Sequence, residues 1–151
     1  HECSSAASDV YKRQGHIFIA DNYLGFDDAI YAAVRVITQM VKGGQSITEF
    51  MDSLPEQHAT PELRIDCPDT VKFDSMEKIR AHVLSGHDAA DVNSIDGVRV
   101  RSGDGWWLIR ASNTEAALVA RAEAADRTAL DRLLGDIETT LAAAGLDWKR
   151  P

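Results

Sequence analysis

The sequence predicts an α+β fold: a C-terminal domain on a four- or five-stranded, largely antiparallel sheet with two helices on one face, preceded by the end of an α/β domain. Three observations carry that expectation. Short β-prone runs between Leu63 and Glu123 are separated by the turn signals Asp96-Gly97 and Gly103-Asp104-Gly105. Two stretches keep the apolar spacing of a helix, one at Phe73, Met76, Ile79 and Val83, the other at Leu130, Leu133, Leu134, Ile137 and Leu141. The part before residue 58 supplies only one strand and two helices, too little for a core of its own, so it reads as the end of a larger domain.

Taken in order, His1 to Gln14 (HECSSAASDVYKRQ) is small and polar without an apolar period, and reads as a non-native tail joined to a fragment. Gly15 to Ala20 is the first strand-forming run. Ile30, Val34, Ile37 and Val41 line one face of a helix over Phe26 to Met40, with Asp27 and Asp28 at the end where the dipole favours anions and Gly43-Gly44 as its stop. Ser46-Ile47-Thr48-Glu49 has the form of a capping box opening a short helix to Leu54, and Pro55 to Thr60 reads as a linker. The domain that follows, 58-151 after 15-57, places strands at Leu63 to Cys67, Ala90 to Ile95, Val98 to Arg101, Trp106 to Ala111 and Ala117 to Glu123. A helix of about 15 residues ends at Gly86, and the last helix stops at Gly145.

Sixteen Lys and Arg against twenty-four Asp and Glu give a net charge of −8, which excludes a footprint for nucleic acid or an anionic membrane. Any phosphate must then be held by a local constellation. Cys3 and Cys67 lack the spacing of a disulfide framework or a zinc site, and a reducing, cytoplasmic setting fits them. No uncharged stretch approaches the ~20 residues that span a bilayer. Asp66, Asp69 and Asp74 read as solvated acids or caps, so no metal site is expected. His58, His82 and His87 read as surface groups, and Cys67 as a small buried residue. Trp106 and Trp107 must point to opposite sheet faces, one into the core and one half exposed.

The segment that carries chemistry is Arg110-Ala111-Ser112-Asn113-Thr114, at the tip between two strands. A guanidinium fork, two hydroxyls, a side-chain amide and the N–H groups of a tight loop are all donors suited to a tetrahedral oxyanion. The plain alternative is a polar hairpin tip whose arginine sits in an exposed ion pair.

Gly105 to Glu115 (GWWLIRASNTE), followed by a strand reaching Arg121, resembles the phosphate-binding loop in the C-terminal domain of the α-D-phosphohexomutases. Gly15 to Asp21 (GHIFIAD) with Gly25 to Ala29 (GFDDA) resembles the segment after that family's sugar-recognition loop, and Thr60 to Arg64 (TPELR) its entry into the last domain. These matches occur in the family's order across residues 15 to 145. The S-N-T loop is similar to that of the phosphomannomutase/phosphoglucomutase group, which implies mannose or glucose 1- and 6-phosphates as ligands. The resemblance further implies a four-domain isomerase, an intramolecular phosphotransferase moving phosphate between C6 and C1 through a hexose 1,6-bisphosphate. A phosphoserine in the first domain and a Mg2+ in the second would serve it, and the preceding domains of the same enzyme would be this chain's partners.

Carried over residue by residue, the resemblance implies that Arg110 makes a bidentate phosphate contact, Ser112 and Thr114 donate hydroxyls, Asn113 donates an amide, and the backbone from Ala111 to Thr114 lines the anion. Arg121 would join them, although seven residues of strand span ~23 Å unless the chain turns back; its alternatives are a pair with Glu123 or cover for a Trp face. Gly15 and His16 would lie beside the sugar, His16 with a role in proton transfer. Lys12 and Gln14 stand where the family carries its sugar-binding Glu and Ser, which reads as truncation of the upstream sequence. Ala116 replaces a frequent Pro. With no phosphoserine loop and no D-G-D-G-D metal loop in its 151 residues, the chain is expected to be inactive alone. The competing reading is a stand-alone, non-catalytic module that binds a phosphorylated metabolite and regulates a partner. It requires a self-sufficient fold, with no apolar face left uncovered on the helix from Phe26.

Overall fold

The computed structural model describes residue 17 and residues 19–150, which divide after Pro55 into two compact units. The expected tail, Gly15 and His16 lie outside the described residues. Of the strand expected over Gly15 to Ala20, the described Ile17, Ile19 and Ala20 form no more than a single bridge at Ile17. A strand needs a ladder partner, and no second strand occurs among the described residues before His58.

The first unit holds two helices. In α1 (Ala29–Gly43) the Asp28 carboxylate accepts from the Tyr31 N–H at 2.9 Å, and Gly44 closes the helix at φ 63°, a left-handed conformation that glycine adopts without steric cost. Its stripe of Ile30, Val34, Ile37 and Val41 is more than half exposed. The short α2 (Ile47–Asp52) opens on the expected capping box: Glu49 N–H donates to Ser46 Oγ at 3.2 Å, and Ser46 N–H donates to Glu49 Oε2 at 2.8 Å.

The second unit is an antiparallel sheet covered by two helices. In chain order it comprises β1 (His58–Ala59), β2 (Leu63–Asp66), α3 (Asp69–Gly86), β3 (Val92–Asn93), β4 (Val98–Ser102), β5 (Gly105–Ala111), β6 (Ala117–Ala124) and α4 (Arg127–Ala143). The sheet order is β1-β6-β5-β4-β3, with β2 also paired to β6. The six strands exceed the expected four or five because part of the presumed linker is strand. Four-residue β2 covers only Ala117 to Ala120 of β6, and His58 and Ala59 satisfy the remainder at Ala124 and Glu123. Thr60 bridges the two, its N–H donating to the Ala122 carbonyl at 2.9 Å and its Oγ accepting from the Ala122 N–H at 3.1 Å. The strand expected over Ala90 to Ile95 shrinks to β3, preceded by a 3-10 turn over Ala89–Asp91. Asp88 accepts from the Ala90 N–H and Asn93 from the Ile95 N–H, both at 3.0 Å, so side chains take amides that a ladder would use.

Alternation along the strands sends Leu63 and Ile65, Val98 and Val100, Trp107 and Ile109, and the even residues Leu118 to Ala124 into one core. Met76, Ile79 and Val83 of α3 and Leu130, Leu133, Ile137 and Leu141 of α4 close it. Trp107 is buried there and Trp106 half-buried on the other face, as their adjacency demands. Phe73 does not belong to the buried face of α3; it is 69% exposed, and Lys72 is the buried residue. Stepping back four residues from Met76 stays on the face, and stepping back three leaves it. No helix among the described residues is long and apolar enough to cross a membrane.

Two contacts outside the core fix opposite ends of the sheet, the first at the end that carries the candidate loop. Gly97 has φ 85°, and a Cβ there would meet the Ile109 carbonyl oxygen at 2.3 Å and Arg110 Cβ at 2.6 Å. Asp104, in the β4–β5 turn, accepts from Arg132 Nε at 2.8 Å and Nη2 at 2.5 Å, tying that turn to α4. Gly97→Ala is expected to destabilise the fold by about 2–4 kcal/mol, from left-handed strain plus overpacking, as read by urea unfolding. The Arg132 guanidinium holds the Asp104 carboxyl below its ordinary range. Its stabilisation is therefore complete above the unfolded aspartate value near pH ~4 and is lost as acid carries the pH down through the lower folded value. Asp104→Asn should flatten this acid-side fall in stability, measured as unfolding midpoint against pH.

Candidate functional site

The loop joining β5 to β6 is held almost wholly from inside. Ser112 N–H donates to the Ala117 carbonyl at 2.9 Å, closing the hairpin. The buried Ser112 hydroxyl accepts from the N–H groups of Thr114 at 3.4 Å and Glu115 at 3.2 Å, so its single proton remains to be donated elsewhere. Beneath the loop, Lys72 Nζ donates to the carbonyls of Ser112 at 2.8 Å and Glu115 at 2.9 Å and to Asp69 Oδ1 at 2.5 Å. Cys67 N–H takes the Ala116 carbonyl at 3.1 Å, and Cys67 itself is a buried free cysteine.

Trans peptide geometry turns these bonds into a statement about donors. In a planar trans unit the N–H points opposite to the carbonyl, and no described peptide is cis. Drawing the Ser112 and Glu115 carbonyls toward Lys72 therefore turns the Asn113 and Ala116 N–H groups away from it. Of the backbone expected to line an anion, the Ser112 and Thr114 amides are engaged within the loop, and the Asn113 amide faces out. The side chains of Asn113 and Thr114 are exposed.

The arginines stand on the sheet face opposite the core. Arg110 pairs across the ladder with Val119, and Arg121 with Leu108. The two guanidinium-bearing residues are thus diagonal neighbours on antiparallel strands, about 7–8 Å apart. The long path along the strand does not separate them, because the hairpin folds β6 back beside β5. Arg64 shares the face, opposite Val119 from the other side, and Arg99 and Arg101 continue it on β4. This locally cationic surface lies on a chain of net charge −8.

Their partners differ. Arg110 donates from Nη1 to the Ala111 carbonyl at 3.3 Å and has no carboxylate partner among the described residues. Arg121 lies 3.7 Å from Glu62 Oε2, a partner other than the Glu123 or tryptophan that its position in sequence suggested. Arg64 bridges Glu62 at 3.3 Å and Glu115, whose carboxylate raises the guanidinium above its ordinary value. Arg99 lies 4.7 Å from the centroid of the Trp106 ring.

Sequence reasoning passed over Lys72, Glu62 and Arg64. The signal for Lys72 was its place four, seven and eleven residues before Met76, Ile79 and Val83, a lysine on an apolar stripe. Asp66, Asp69 and Asp74 do not gather, and among the described residues no three His, Cys, Asp or Glu side chains are placed to hold a metal. Of the other histidines, His82 and His87 are exposed and His58 is half-buried in β1.

An antiparallel α+β domain whose hairpin tip presents outward amides beside an arginine with no carboxylate partner among the described residues belongs to a recognisable class. Residues 62–140 match the family model for the phosphoglucomutase/phosphomannomutase C-terminal domain. The chain is 39% identical over 127 residues to a phosphomannomutase/phosphoglucomutase of Pseudomonas putida, covering 84% of this chain and 27% of that protein. It is 35% identical over 119 residues to a phosphoglucomutase of Neisseria gonorrhoeae, covering 79% and 26%. A solved structure of a phosphoglucomutase/phosphomannomutase family protein from Burkholderia thailandensis matches with a TM-score of 0.70 at 32% identity, over 88% of this chain and 28% of that one. The chain belongs to the phosphoglucomutase/phosphomannomutase family, to its C-terminal portion. It spans about a quarter of the length of the curated relatives it matches.

Ser112→Ala removes the acceptor of two loop amides. It should cost about 1–3 kcal/mol in unfolding free energy and speed hydrogen exchange at Thr114 and Glu115 while leaving the β4–β5 ladder protected.

Proposed function

We propose that this chain is the C-terminal part of a cytoplasmic phosphomannomutase/phosphoglucomutase, and that its β5–β6 loop grips the phosphate of the hexose phosphate that is not being transferred. On this reading residues 15–57 end the sugar-recognition domain and residues 58–151 form the phosphate-binding domain. The observation that carries it is Arg110: a half-buried arginine without a carboxylate partner among the described residues, next to a loop whose Asn113 amide is turned outward. An unpaired guanidinium fork matches two phosphate oxygens. The Ser112 proton, the Thr114 hydroxyl and the Asn113 side chain add donors of the right kind. Arg121, held by Glu62 at the loose distance of 3.7 Å, is the second cation within reach.

The work assigned to these residues is orientation. Fixing the remote phosphate spends binding energy on holding the sugar, so that the other end of the ligand meets the phosphoryl donor in line. Because the reaction runs between C1 and C6, the loop must accept the same phosphate group on a sugar presented in two orientations, which a ring of donors for a tetrahedral anion can do. Phosphoryl exchange with a serine, and the charge neutralisation that Mg2+ supplies, are assigned to the preceding domains. Gly15 and His16 are assigned to the sugar side, His16 as a proton carrier, on the resemblance alone. The exposed stripe of α1 favours this reading over a stand-alone regulatory module, which would have to cover it within one chain.

The test is an amide-resolved NMR titration of the chain with glucose 1-phosphate and mannose 1-phosphate, with sulfate as the control anion. Saturable shifts confined to Ala111–Ala116 and weakened about 10- to 100-fold by Arg110→Ala are expected, the loss of one charge-assisted contact. Shifts scattered over the surface, or an affinity indifferent to Arg110→Ala, would overturn the assignment.

A further inference from the structure

We infer that Lys72 is the positioning residue of the phosphate site: its ammonium, sunk beneath the β5–β6 loop, holds two loop carbonyls inward so that amide hydrogens face the anion. The inference rests on the phosphate reading above and adds a residue on a different element, α3.

Lys72 is 5% exposed, a rare state for a lysine unless every proton is bound. It has three protons and three acceptors within 2.9 Å: Asp69 Oδ1, the Ser112 carbonyl and the Glu115 carbonyl. The set is saturated, which fixes the ammonium in one place. The two carbonyls lie at either end of the turn, so one atom determines the orientation of both bounding peptides. Left free, either carbonyl could rotate outward and present a negative dipole to the ligand. The ammonium also places a positive charge on the inner side of the loop, offset in part by Asp69, whose side chain is 70% exposed. Arginine cannot substitute. Its planar fork lies in one plane, whereas these three oxygens converge on a single tetrahedral centre.

The decisive comparison uses Lys72→Met, Lys72→Arg and Val83→Ala, the last a core truncation about three turns along the same helix from Lys72. Glucose 1-phosphate affinity and amide hydrogen exchange are followed by NMR, with Tm alongside. Lys72→Met is expected to weaken binding about 10-fold or more, to accelerate exchange at Thr114 and Glu115, and to move the Asn113 amide resonance. Lys72→Arg should fail to restore affinity, although it keeps the charge. Val83→Ala should lower Tm while leaving affinity and loop exchange unaltered. Affinity within twofold of the parent in Lys72→Met would refute the inference, as would an equal affinity loss in a Val83→Ala protein of matched Tm. Should the parent chain itself bind neither hexose phosphate, the phosphate reading falls separately. Lys72 is then judged by exchange alone: faster Thr114 and Glu115 exchange in Lys72→Met but not in Val83→Ala supports its positioning role, and unchanged exchange refutes it.

Discussion

The register between β5 and β6 is the constraint on which the second unit depends. The central strand β6 pairs with β5 along its whole length on one side, and with β1 and β2 end to end on the other. Its pattern is strict: Leu118, Ala120, Ala122 and Ala124 enter the core, while Val119, Arg121 and Glu123 face away. A slip by one residue would carry Arg121 into the apolar layer and Ala120 out of it, so burial enforces the pairing. The same register sets Arg110 diagonal to Arg121. The spacing of two cations on the open face is thus a by-product of how the apolar residues pack on the hidden one.

The loop obeys a second economy. Almost every inward-facing backbone group has a partner inside the protein: the Ser112 hydroxyl for two amides, Lys72 for two carbonyls, Cys67 for a third. What turns outward is mixed: the Asn113 and Ala116 amides, whose peptide carbonyls Lys72 holds, and the Asn113 and Thr114 carbonyls, whose peptide amides the Ser112 hydroxyl holds. Outward amides of this kind beside an arginine are donors suited to an oxyanion. Such donors need no excess of basic residues, so a net charge of −8 is compatible with the proposed site.

The first unit contrasts with this. Its helices are well capped, yet Ala32 is the buried residue of α1 and none of α2 is buried. Capping and propensity form a helix, but they do not give it a hydrophobic partner. The apolar stripe of α1 is more than half exposed, and the compared family members are about four times as long as this chain.

Much of this was legible in the sequence by itself. Period-two and period-3.6 patterns located β2, β4, β5, β6, α3 and α4, the capping box located α2, and the adjacency of Trp106 and Trp107 assigned each to its face. The order of the motifs also gave the family, because a loop such as Arg110 to Thr114 is a local feature written in consecutive residues. Tertiary structure decided what depends on distant pairs. It turned His58-Ala59 from linker to strand because β6 had unpaired groups to satisfy, and shortened β3 because Asp88 and Asn93 compete for amides. It brought Arg121 beside Arg110 through the hairpin, gave Arg121 to Glu62, and replaced Phe73 by Lys72 on the buried face. The last is the clearest case. An apolar count along a helix favours Phe73, but a lysine that finds two backbone carbonyls 40 and 43 residues away can be buried at less cost, and such partners are not visible until the chain has folded.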